Sequence, residues 1–226
     1  MLEAPLSRKR ERGWGRGIVR QPLVVKHHGL AEYETTWRAM QTFTAARTSE
    51  TADEIWLLQH PPVFTLGMAG KREHLLNDIG IPVVAIDRGG QITYHGPGQI
   101  VIYLLLDLKR CGNGKKMGIK ELVRRMEQAI IDTLATYAIA AERLPGAPGV
   151  YVAGAKIAAL GLRVKNGCTY HGLSLNVDMD LTPFHAINPC GYAGMAVTQI
   201  SELGARATVH EAGEALLASL LRQIDA

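Results

Sequence analysis

Between Gly98 and Leu108 the chain reads GQIVIYLLLDL. A nearly unbroken apolar run of this length, opened by a Gly-Pro-Gly turn, fits a strand buried on both faces, because a strand with one wet face would alternate with polar residues. A strand covered on both sides requires a layer above it and a layer below it. The fold must therefore be a sheet packed on either face.

Three amphipathic segments can supply those layers. AEYETTWRAMQTFTAAR sets Tyr33, Trp37, Met40 and Phe43 on one helical face, and KKMGIKELVRRMEQAIIDTLATYAI repeats Leu122, Met126, Ile130 and Leu134 at i, i+4. VHEAGEALLASLLRQI reads as a closing helix. PLVVKHH, EIWLLQH and IPVVAID read as strands, and from Gly149 to Val177 the segments GVYVAG, AKIAALGLRV and CTYHGLSLNV form an antiparallel meander with a turn at KNG. No Pro-, Ser- or Gly-rich linker divides them. The expected fold class is α+β, a single domain over residues 21–226 with a central mixed sheet flanked by helices.

The net charge of +4 invites a nucleic-acid reading until it is located. Of 25 basic and 21 acidic residues, Arg8, Lys9, Arg10, Arg12, Arg16 and Arg20 lie with Glu3 and Glu11 in the first twenty, so the other 206 residues balance 19 against 19. Residues 1–20 read as a basic, disordered extension, and the body has no global field to steer a polyanion. No nucleic acid is expected as a partner. No run approaches the ~18 apolar residues of a membrane span and the N-terminus is not a secretory signal, so no membrane partner and a cytoplasmic location are expected. Cys111, Cys168 and Cys190 follow no zinc spacing, and no metal is expected.

Two stretches can carry chemistry. AINPCGYAGMAVTQI places Cys190 between Pro189 and Gly191, which suits a thiol presented at the lip of a pocket as well as a structural cysteine in a turn. RGGQITYHGPGQ, Arg88 to Gln99, lets the backbone pass close to a ligand, yet matches neither a phosphate loop nor a dinucleotide fingerprint. His95 within it has three open roles: general base, oxyanion donor, or a ring that fixes the loop. His171 reads as a satisfied core histidine. Lys156 shares a strand face with Ala158, Leu160, Leu162 and Val164, and burial there would press its ammonium toward neutrality unless an anion such as a thiolate compensated. A lysine snorkelling to water is the competing reading.

Five segments together resemble the octanoyltransferases, also called lipoyl(octanoyl) transferases, of lipoate biosynthesis: HPPVFTLG from His60, RGGQITYHGPGQ from Arg88, GAKIAALGLR from Gly154, YHGLSLNVDMDL from Tyr170 and INPCG from Ile187. The resemblance implies a fold like that of biotin and lipoate protein ligases. It implies transfer of octanoyl from acyl carrier protein to a lysine of a lipoyl domain, in 2-oxoacid dehydrogenase complexes or the glycine cleavage H protein, with no cofactor. It makes Cys190 the acyl-carrying thiol and Lys156 its catalytic partner. It also assigns substrate binding to Arg88, Gly89, Gly90, Gln91, Ile92, Thr93, Tyr94 and His95, to Ala159, Leu160 and Gly161, and to Gly172, Leu173 and Ser174. The basic extension is not part of that pattern.

Three rivals remain on the sequence. An ATP-dependent ligase of the same fold would need no thiol nucleophile, a cysteine hydrolase would pair Cys190 with His95 or His171, and a silent carrier-binding module would leave the thiol unmodified. For the acidic carrier a docking patch is expected between Lys109 and Glu127, where Lys109, Arg110, Lys115, Lys116, Lys120, Arg124 and Arg125 face only Glu121 and Glu127.

Overall fold

A computed structural model describes residues 23–111, 116–189 and 194–225. The basic extension, Lys115 and Cys190 lie outside the described residues.

The apolar run forms β6 (Gln99–Leu105), and every residue of it is buried. With β1 (Val24–Leu30), β2 (Glu54–Gln59), β7 (Glu142–Leu144), β8 (Ala147–Val152), β9 (Ala155–Lys165) and β10 (Cys168–Asn176) it makes a seven-stranded sheet in the order β1-β2-β6-β10-β9-β8-β7. β1 and β2 pair in parallel and all other neighbours are antiparallel, so the sheet is mixed. β8, β9 and β10 form the expected meander.

Alternation along β6 divides the two layers. Ile100, Ile102 and Leu104 point to one face, where they meet Leu122, Met126 and Ile130 of α2 (Ile119–Thr136) and Leu216 and Leu220 of α3 (Val209–Asp225). Each such side chain contributes roughly 1.5–3 kcal/mol on burial, so this cluster rather than helix propensity holds the two helices. Val101, Tyr103 and Leu105 point the other way, against Met40 and the partly buried Trp37 and Phe43 of α1 (Tyr33–Ala46).

A second sheet was not expected. β3 (Val63–Leu66), β4 (Val83–Ala85) and β5 (Ile92–His95) form a three-stranded sheet in the order β4-β3-β5, packed beside α1 through Tyr33 and Val63. The segment read as one glycine loop thus holds a strand between two turns, and IPVVAID keeps only three strand residues. Strands this short lie within the noise of turn chemistry, so their pairing with β3 is what reveals them.

The basic patch is narrower than the sequence suggests. Arg110 is bound by Asp53 and Asp107, Arg125 by Glu121 and the Gln223 carbonyl, and Glu127 is buried. Lys109, Lys116, Lys120 and Arg124 remain exposed.

Candidate active site

The facing surfaces of the two sheets line a partly open cavity, closed at one end by α1. β5 contributes Ile92, Thr93 and His95, and the turn before it Arg88, Gly90 and Gln91. β9 contributes Ala159, Leu160 and Gly161, and β10 His171, Gly172, Leu173 and Ser174. Gly89 and Tyr94 do not line it. Gly89 donates its N–H to the Leu162 carbonyl at 3.0 Å, and Tyr94 points to the other side of its strand, against Phe64 and Phe184. The sequence missed Tyr33, Val101 and Tyr103 as lining residues, because their spacing is that of core positions.

Two devices hold the walls together. Buried Arg88 donates from Nη2 to the Thr65 carbonyl at 2.8 Å and to Thr65 Oγ1 at 2.9 Å, and from Nη1 to the Gly89 carbonyl, binding the small sheet to the glycine turn. Gly98, at φ +90°, accepts from the Val177 and Asp178 N–H groups at 3.1 and 3.0 Å and ties the start of β6 to the end of β10. A Cβ at Gly98 would lie 2.0 Å from the Asp178 carbonyl oxygen, so no other residue allows that approach.

The histidines around the cavity are neutral. His60 Nδ1 faces the Ala31 carbonyl at 2.6 Å, which can only accept, so Nδ1 carries the proton and Nε2 accepts from the Tyr103 hydroxyl at 2.7 Å. Burial lowers the His60 pKa to about 4 and that of His95 to about 3. His95 Nδ1 donates to Gln99 Oε1 at 2.7 Å, Gln99 donates to Asn176 Oδ1 at 2.9 Å, and Asn176 donates to the Thr198 carbonyl at 3.0 Å. Of the three roles left open for His95, the geometry supports fixing the turn. A base that protonates only near pH 3 is a poor proton acceptor at neutral pH.

At the closed end two consecutive residues of β10 converge on one carboxylate. Neighbours on a strand ordinarily point to opposite faces, yet the Tyr170 hydroxyl and His171 Nε2 both donate to Asp87, the latter at 3.0 Å. The cause is the backbone of His171, at φ +60°, which turns its ring away from the α2–α3 core that Leu173 and Leu175 enter. Trp37 Nε1 at 2.8 Å and Gln41 Nε2 at 3.1 Å complete the set. Burial pushes the Asp87 carboxyl up, but the bonds from His171, Tyr170, Trp37 and Gln41 outweigh it and hold it well below the usual carboxylate range. Burial lowers the His171 pKa despite this neighbour.

At the opposite end stands Lys156, only 5% exposed. It lines a smaller chamber with Thr93, Ala159 and Ser174, which also line the main cavity, and with Pro189. Its N–H donates to the Ala196 carbonyl at 2.8 Å and its carbonyl accepts from Thr198 at 3.0 Å, so the strand is joined to the chain just past residues 190–193. Nζ lies 5.3 Å from the centre of the Tyr151 ring. The amine is also shaped by Gly149, at φ +141°, where a Cβ would fall 2.5 Å from Lys156 Cε and 3.1 Å from Nζ. Glu127 Oε1 accepts the Gly149 N–H at 3.1 Å while its Oε2 accepts from Arg143, which anchors this bare stretch of β8 to α2. Cys111 and Cys168, by contrast, are buried outside the cavity, and burial raises the Cys168 thiol pKa. Among the described residues no group of three or more His, Cys, Asp or Glu side chains is placed to hold a metal ion, and no helix is long and apolar enough to cross a membrane.

Residues 32–221 match the family model of the lipoyl protein ligase A/B catalytic domain. Octanoyltransferase of Dechloromonas aromatica is 64% identical over 204 residues, covering 90% of this chain and 98% of that protein. The chain belongs to the octanoyltransferase family. Octanoyltransferase of Thiobacillus denitrificans is 65% identical over 89% of this chain and 91% of its own length. As a family member the chain is an acyltransferase of lipoate-related metabolism. Its fold recurs at low identity. A bipartite lipoate protein ligase from Thermoplasma acidophilum superposes with a TM-score of 0.70 at 14% identity, over 88% of this chain and 82% of that one. A biotin protein ligase from Aquifex aeolicus does so at 0.54 and 11%, over 89% and 69%.

Proposed function

We propose that the chain moves an octanoyl or lipoyl group from acyl carrier protein to a lysine of a lipoyl domain, through a thioester on Cys190. The observation that carries this reading is the position of Lys156, a buried amine where the cavity meets Pro189, one residue before Cys190. In the first step the Cys190 sulfur attacks the carrier's thioester carbonyl, a new C–S bond forms, and the carrier's thiolate leaves. Lys156 takes the proton of Cys190 and returns it to the departing thiol. In the second step the acceptor amine attacks the Cys190 thioester, Lys156 receives the amine's proton, and the Cys190 thiolate is expelled. One thioester replaces another and the amide is the thermodynamic sink, so no nucleotide is required.

The exposed Lys109, Lys116, Lys120 and Arg124 fit an acidic carrier. The last two each follow, in sequence, a residue (Ile119, Val123) that lines a groove reaching Lys156. Incubation with octanoyl-acyl carrier protein and no ATP should add one octanoyl mass to the intact chain, lost in Cys190→Ala and discharged by a lipoyl domain. An adduct that survives in Cys190→Ala, or a strict ATP requirement, would overturn the assignment.

A further inference from the structure

An octanoyl chain in the cavity has to stop somewhere, and the wall that stops it is visible. Thr93, Ala159 and Ser174 mark the end shared with Lys156. Along β10 the imidazole of His171 stands three residues beyond Ser174, about 10 Å of strand, which is the reach of an extended eight-carbon chain. Opposite it, Tyr103 closes the cavity edge-on, with ring centres 6.0 Å apart. The imidazole is braced from behind, since Asp87 holds His171 Nε2 and is itself held by Trp37, Gln41 and Tyr170. A longer chain cannot push the ring aside without breaking that set.

We propose that His171, turned into the cavity by its left-handed backbone and braced by Asp87, is the end wall that limits the acyl group to about eight carbons. This rests on the octanoyl reading above and adds to it the residue that measures the chain. In ordinary β geometry the same side chain would enter the α2–α3 core and the cavity would run on toward Asp87.

The test is loading of the full chain by pantetheine thioesters of eight, ten and twelve carbons, followed by intact mass. Wild type should load eight carbons best and twelve at least about tenfold more slowly, the discrimination expected where added methylenes meet a wall. His171→Gly accepts φ +60° freely and should raise the ratio of twelve- to eight-carbon loading by about tenfold or more. His171→Asn, also tolerant of the left-handed region, should shift the ratio the same way by less, and it keeps the test open if the glycine variant folds poorly. Equal loading of all lengths by wild type, or an unchanged ratio in both variants, would overturn the proposal, because a merely structural histidine lowers every length together. Failure of wild type to load any chain would instead refute the octanoyl reading itself.

Discussion

At the Asp87 end of the cavity, each oxygen of the carboxylate accepts two hydrogen bonds, from Trp37 and His171 on one and Gln41 and Tyr170 on the other. At the Lys156 end the space for the side chain is set by what is missing, a Cβ at Gly149, while Nζ lies over the Tyr151 ring and the backbone is held by the regular bonds to Ala196 and Thr198. One end is over-determined by these bonds, and burial there holds the His171 pKa below its ordinary value. The other sets a buried amine against a glycine that leaves it space. A transferase needs both, a rigid mould for the inert part of its substrate and a small freedom where protons move.

Substitutions can separate the two ends. Lys156→Arg keeps a cation but cannot release its proton, and should lower transfer by about 10²–10⁴-fold, the usual span of general acid–base catalysis. Transfer near the wild-type rate in single-turnover assays would leave Lys156 only a charge or packing role. Gly149→Ala drives a methyl into Lys156 Cε and should cost up to about 100-fold in kcat, the effect of an ångström-scale misplacement. The chain-length ratio should not move, since the far wall is intact. A changed ratio would mean that the two ends are mechanically coupled.

The neutral histidines predict a pH effect on stability. An unfolded histidine takes up a proton below about pH 6.5, whereas folded His60 and His95 resist until about 4 and 3. Between these values the unfolded chain binds more protons, so the contribution is complete above pH 6.5 and is lost as the pH falls toward 4. Urea denaturation should show a loss on the order of a few kcal/mol between pH 7 and pH 4, less steep in His60→Gln. An equal slope in that variant would place the acid sensitivity elsewhere. The smallest effect is reserved for the surface: reversing Lys120 and Arg124 to Glu should slow loading from the carrier by several-fold at low salt. Loading from a pantetheine thioester should stay unchanged, and equal losses with both donors would show damage to the site rather than to docking.

Much of this was legible in the residues, for identifiable reasons. GQIVIYLLLDL announced a doubly covered strand because a central strand has no polar face to show, and β6 is that strand. The stripe of Leu122, Met126 and Ile130 gave α2 its buried face. The small sheet was hidden because β4 and β5 are three and four residues long and acquire meaning only through pairing with β3. The closed end was hidden for a different reason. Reading His171 as a core histidine was right about burial, but alternation assumes an extended backbone, and nothing local tells that φ is +60° there. Asp87 lies over 80 residues from His171 in sequence, and their contact belongs to tertiary structure alone.

The cavity is walled by two sheets of very different cooperative size. Six of the seven strands and two long helices share the larger core, while β3, β4 and β5 rest on the cluster of Phe64, Ile92, Tyr94 and Phe184 and on the bonds of Arg88 to Thr65. In amide-exchange terms the small sheet should be the unit that opens first. An acyl chain lying between them, as proposed, would touch both. Occupancy would therefore lend the weaker unit the stability of the stronger, and the amides of Thr65 and Thr93 would become a remote gauge of whether the mould is full.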